Sequence, residues 1–94
     1  MTDAVEAERG RQAQAVLDNP VYAEGYAAME QELMNKWRDS RDAHEREQLH
    51  RLLMALTLIR SRLEATMRTG KVALDKITHR QTLAERIGLK RNAA

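Results

Sequence analysis

Apolar residues recur every three or four positions from Leu49 to Met67, in the stretch LHRLLMALTLIRSRLEATM. At 100° per residue, Leu49, Leu52, Leu53, Leu56, Ile59, Leu63 and Met67 fall on one stripe, as a core-facing helix requires. Met54, Leu58 and Ala65 fall on the opposite side. A helix that is apolar on both sides is clasped by two neighbours or lies at an interface between chains.

A second helical pattern precedes it. Asn19-Pro20 marks its start, because Asn is a good N-cap and Pro is pre-shaped for the first helical position. From Pro20 to about Arg38, residues Tyr22, Tyr26, Met29, Leu33 and Trp37 line one stripe about 80° wide. All three aromatics of the chain lie on it. Asp39, Ser40 and Asp42 then predict a turn. Asp42 with Glu45 has the spacing of a capping box, so the next helix should begin near Ala43. The two stripes predict an antiparallel hairpin, about 20–38 against 43–69. Its seam would be Tyr22, Tyr26 and Trp37 against Leu49, Leu53, Leu56, Leu63 and Met67. Gly25, between the tyrosines, would allow a close helix–helix approach.

Both flanks read as helical. Asp3 and Glu6 have capping-box spacing, and a first helix runs from there to about Leu17, weakened at Gly10. Thr69-Gly70 reads as a C-cap with Gly at C′. With no proline there, the helix could also run through it. Residues 71–88 form a looser helix. The expected fold is all-α: a central hairpin with N- and C-terminal helices, forming one domain over 1–94. Residues 1–10 and 90–94 are expected to be mobile or ordered by a partner. Glu32→Lys36, Glu47→Arg51 and Glu64→Arg68 are i,i+4 pairs in the favourable order and mark exposed faces.

Composition makes the core thin. There is no Phe and no Cys, so neither a large aromatic core nor a disulfide stabilises the 94 residues. Oligomerisation would bury surface that the monomer leaves wet. The acidic start MTDAVEAERG has no apolar run and predicts no signal peptide. No apolar segment approaches the roughly 20 residues needed to cross a bilayer. Residues 1–50 carry 6 Lys/Arg and 11 Asp/Glu, whereas residues 51–94 carry 10 and 3. Three arrangements use that asymmetry. The halves can fold against each other, the basic half can meet nucleic acid, or unlike halves of two chains can associate.

No pattern supports catalysis or a cofactor. Glu47-x-x-His50 has the i,i+3 spacing of carboxylate-bridged metal bundles, but a site needs two such motifs and two more carboxylates. Thr69-Gly70-Lys71 lacks the upstream glycine and strand of a phosphate-binding loop. Ser40 and Ser61 have no base in sequence register with them. The stretch 81–90, QTLAERIGLK, resembles the first helix and turn of a helix-turn-helix. Only four residues follow it, too few for a recognition helix. A basic terminal helix that touches phosphates through Arg80, Arg86, Lys90 and Arg91 needs no such helix.

Leu17-Asp18-Asn19-Pro20 with Tyr22 and Tyr26, Trp37-Arg38-x-Ser40, Arg46-Glu47-x-Leu49 and Arg60-x-x-Leu63-Glu64 follow one another in order, ending in Thr69-Gly70-Lys71. Over residues 17–71 this run resembles a family of small helical proteins of tailed bacteriophages, encoded near packaging and structural genes. The resemblance supplies no catalytic residue. It implies a non-enzymatic assembly or packaging-associated protein in the host cytoplasm or on the virion. The expected partners are a second copy or other phage proteins, with no membrane and no small-molecule substrate. Met54, Leu58 and Ala65 are the expected interface. The alternatives are a small-terminase-like accessory that binds DNA through the basic half, and a small inhibitor of a host enzyme.

Overall fold

The computed structural model describes residues 2–93, with side chains for residues 2–88. It contains three helices and, among the described residues, no strand: α1 Asp3–Leu17, α2 Pro20–Asp39 and α3 Ala43–Ala93. The all-α class is therefore present.

Local chemistry sets the helix starts. The Thr2 hydroxyl accepts from the Val5 amide at 3.3 Å and caps α1. Asp3, expected in that role, is instead the first helical residue, and its carboxylate reaches Arg80 at 2.6 Å. Asn19 caps α2, its side-chain oxygen accepting from the Val21 and Tyr22 amides at 2.9 and 3.2 Å. Asp42 caps α3 in the same way, accepting from His44 and Glu45 at 2.9 and 3.3 Å. These oxygens satisfy amides that the first helical turn leaves without partners.

Gly70 does not end a helix. α3 is continuous over 51 residues, and no glycine has the positive φ of a C′ cap. The expected break at Thr69-Gly70 and the separate helix after it are absent. The physical reason is a contact. A Cβ built on Gly70 would lie 2.5 Å from the Gly10 Cα and 2.9 Å from the Glu6 carbonyl oxygen. Each glycine removes the side chain that would hold α1 and α3 apart at their crossing. Gly25, the glycine expected to permit such an approach, has nothing within 4 Å of its own built Cβ.

α1 and α2 lie along different stretches of α3. As their contacts move toward the C-terminal end of α2, they move toward the N-terminal end of α3. Asp3 meets Arg80, Gly10 meets Gly70, Arg60 stacks on Tyr26 and Arg46 stacks on Trp37. The result is a rod of 79 × 23 × 17 Å. Its length matches a 51-residue helix at 1.5 Å per residue, about 76 Å.

The rod has little interior. Among the described residues the buried apolar side chains are Ala13, Tyr26, Leu33, Leu49 and Ala73. Leu53, Leu56, Leu63, Met67 and Tyr22 are half-buried, while Met29 and Trp37 are exposed. Leu52 and Ile59, which periodicity places with the core stripe, are also exposed. The radius of gyration is 21.6 Å, where a compact chain of this length has about 12 Å. The accessible surface is 7571 Å², where a globular 10.8 kDa monomer has about 5,500 Å².

Candidate functional site

The candidate site is the surface of α3 itself, because the other elements leave much of it open. Position by position, Arg46, Leu49, Leu53, Leu56, Arg60, Leu63, Met67, Gly70, Leu74 and Ile77 alternate spacings of three and four. That is an unbroken heptad seam through Gly70. α2 meets its upper part, where Arg46 and Arg60 stand at seam positions and stack on aromatic rings of α2. The Arg46 guanidinium carbon is 4.0 Å from the Trp37 ring centroid, and its Nη1 donates to the carbonyls of Trp37 and Ser40 at 2.5 and 3.0 Å. Arg60 sits 5.1 Å from the Tyr26 centroid and pairs with Glu64 at 3.2 Å. The expected Glu64→Arg68 pair is thus replaced. Glu64 pairs one turn back because Arg60 is already held over Tyr26. The other two expected pairs are present, Glu32–Lys36 at 3.2 Å and Glu47–Arg51 at 2.8 Å.

α1 meets the lower part of α3 on a neighbouring stripe, through Thr66, Gly70, Ala73 and Arg80. The stripe that α1 covers below runs on uncovered above it, as Ile59 and Leu52, 58% and 54% exposed. The seam that α2 covers above runs on below it, as Met67 and Leu74. There it forms one wall of an apolar groove of about 420 Å³, whose other wall is Ala4, Ala7 and Gly10 of α1. Leu74 is 54% exposed. Small residues on α1 make the groove: Ala4 and Ala7 cannot reach across to cover Leu74.

The expected interface residues separate. Met54 and Leu58 lie open on the outer side of α3, Leu58 at 60% exposure. Ala65 is half-buried and lines a shallow recess with Glu6 and Arg9 of α1. It faces the α1 side, so the three residues do not share one patch.

The nucleic-acid set also divides. Arg80 is engaged by Asp3, and Arg86 is exposed. Lys90 and Arg91 lie outside the described side chains. α3 continues through Gly88, so the turn suggested by residues 81–90 is not formed. Part of the charge asymmetry of the sequence is taken up inside the fold, where the acidic start of α1 lies on the basic second half of α3.

Among the described residues, no group of three or more His, Asp or Glu is placed to hold a metal ion. Glu47 is tied to Arg51, and His50 is exposed. The Ser40 hydroxyl contacts the Asp42 backbone in the turn. The Glu8 carboxyl is held below its ordinary range by hydrogen bonds from Arg11 and then by that residue's charge. Arg11 is raised in turn. Both side chains are in solvent, so this is helix-surface pairing and not a reactive centre. The Tyr22 hydroxyl is buried without a hydrogen-bond partner. No helix of the described residues is long and apolar enough to cross a membrane.

Sequence reasoning missed the Gly10–Gly70 crossing, the two stacking arginines and the open groove at Leu74. The heptad spacing that continues past Gly70 was the available signal for the uninterrupted helix. Comparison of the chain with protein-family models, with curated proteins and with solved structures finds no match.

Proposed function

We propose that this chain is a non-enzymatic phage assembly or packaging-associated protein that works in the host cytoplasm or on the virion. It acts through helix–helix contacts and as an oligomer. Its centre is an antiparallel hairpin of α2 with α3 up to Thr69. The observation that supports this reading is the exposed apolar load of α3. Leu52, Met54, Leu58, Ile59, Val72 and Leu74 are each more than half exposed in a chain with five buried apolar residues among those described. Apolar surface on that scale, along one rigid element, supports a protein-interaction role. The resemblance of residues 17–71 to small tailed-phage proteins supplies the biological setting.

Light scattering on the purified chain, with and without duplex DNA, tests the reading. A mass above one chain in the absence of DNA is expected. Leu58→Asp is expected to lower the largest assembled mass while leaving helicity unchanged, because Leu58 touches little within the chain. A monomer at every concentration, or loss of helicity in Leu58→Asp, refutes it.

A second reading, a DNA-binding accessory, draws on the outer face of α3. Between residues 68 and 86, Arg68, Lys76, His79 and Arg86 share an arc of about 80° that carries no carboxylate. Binding to duplex that weakens steeply with salt would favour this reading. No complex at low salt would remove it.

A further inference from the structure

We infer that the outer face of α3 from Arg62 to Arg86 is a phosphate-binding strip that lies along duplex DNA and reads no sequence. This rests on the DNA-binding reading above and specifies its mode. Over that stretch an arc of about 120° holds Arg62, Arg68, Lys76, His79, Arg80 and Arg86. The carboxylates of the stretch, Glu64, Asp75 and Glu85, fall outside the arc, Asp75 just beyond one edge. At the other edge α1 brings Glu6 and Arg9 to the recess that Arg62 lines, and Asp3 occupies Arg80. Arg62, Arg68, Lys76 and Arg86 are exposed and form no ion pair among the described residues. Unpaired cations along a rigid element, with the carboxylates sorted off their face, fit a polyanion.

The surroundings of these cations select duplex over single strand, and phosphates over bases. Every aromatic side chain of the protein lies on the α2 stripe, so the strip offers no ring on which an unpaired base can stack. Up to Arg80, α1 lies beside α3, in a body 23 × 17 Å across. The major groove is about 12 Å wide and admits a single helix, so this part of the rod stays on the phosphate ridges. From Arg62 to Arg86 the strip is about 36 Å long, and one turn of duplex is about 34–36 Å. A rod laid along the duplex crosses both phosphate strands within that length, and the long Arg and Lys side chains reach to either side of each crossing. Val72 and Leu83 lie between the cations. They carry no hydrogen-bonding group, so they add no readout of base edges beyond contact with a thymine methyl.

Fluorescence anisotropy of the full chain with a labelled duplex of about 20 base pairs, titrated at several salt concentrations, tests the strip. Each phosphate contact contributes about −0.9 to the slope of log K against log salt. Arg62, Arg68, Lys76 and Arg86 together are expected to give a slope of about −3.6 or steeper per bound chain, which is a loss of affinity of at least about 150-fold between 50 and 200 mM salt. Arg62→Gln, Arg68→Gln, Lys76→Gln and Arg86→Gln are each expected to flatten the slope by about 0.9, cutting that loss roughly threefold, and to do so equally on duplexes of different sequence. Lys36→Gln, on α2 and paired with Glu32, is expected to leave the slope unchanged. Tighter binding to a single strand of the same length, a more than roughly tenfold preference for one duplex sequence, or an unchanged slope in all the α3 variants overturns this mode and leaves the DNA-binding reading standing. No complex at about 20 mM salt overturns both.

Discussion

Replacing Gly70 by alanine should weaken this protein, although alanine is the better helix former. The substitution gains about 0.8–1 kcal/mol of helix propensity in the middle of α3. Against that, the new methyl would stand 2.5 Å from the Gly10 Cα, 2.9 Å from the Glu6 carbonyl oxygen and 3.1 Å from the Gly10 nitrogen. Carbon atoms in good contact are about 3.5–4.0 Å apart, so α1 must retreat by roughly 1 Å. No side chain can rotate out of the way, because all three atoms are backbone. Overpacking of this kind costs about 1–3 kcal/mol, and rigid neighbours put it toward the upper end. The net expectation is destabilisation by about 1–2 kcal/mol, a fall of roughly 5–15 °C in Tm at the scale of 4–8 °C per kcal/mol. Gly25→Ala is the matched control. Its Cβ meets nothing within 4 Å, so propensity alone acts and Tm should rise by several degrees. Circular dichroism melts of both variants at one protein concentration provide the measurement, since self-association makes Tm depend on concentration. A Gly70→Ala protein as stable as the parent, or more so, would refute the close crossing of α1 and α3.

Two further changes test the turn end of the rod and the aromatic stripe. Arg46→Lys keeps the charge but loses the planar stack on Trp37 and the paired bonds to the Trp37 and Ser40 carbonyls. A loss of about 1–2 kcal/mol is expected, followed in urea by the fluorescence of the single tryptophan; an unchanged midpoint would show that Arg46 does not hold the turn. Tyr22→Phe removes a buried hydroxyl with no partner, so it should be neutral or stabilising by about 1 kcal/mol. A loss above 1 kcal/mol in the same titration would mean that the hydroxyl is bonded in solution.

The punctuation of this fold could be read from its residues because it rests on short-range bonds. Asn19-Pro20 and Asp42 each satisfy amides two or three positions away, and such bonds follow from spacing alone. Gly70 could not be settled that way. A glycine after Thr69 serves equally as a helix cap or as a site of close approach, and the choice depends on Gly10, sixty positions earlier. The same distance effect explains Asp3, whose carboxylate leaves its expected capping role for Arg80. It also explains Leu52 and Ile59. Periodicity assigns them to a core face, but whether that face is covered depends on where α1 stops, which is set by the Asp18-Asn19 link and not by α3. The candidate interface shows the limit most clearly. Met54, Leu58 and Ala65 share a side of an isolated helix, yet α1 claims the flank of Ala65.

The three helices also impose an order of assembly. The contact of Arg46 with the Trp37 carbonyl joins residues nine positions apart, while that of Arg80 with Asp3 joins residues seventy-seven apart. Closing the longer loop first costs about 2 kcal/mol more in chain entropy than closing the shorter one. The chain therefore zips from the Ser40 turn outward, with α2 settling on α3 before α1 arrives. The finished molecule holds α1 firmly as well, because it crosses α3 at Gly10 and Gly70 and buries Ala13 and Ala73 there. Amide exchange should thus be slow at that crossing as well as around Leu33 and Leu49.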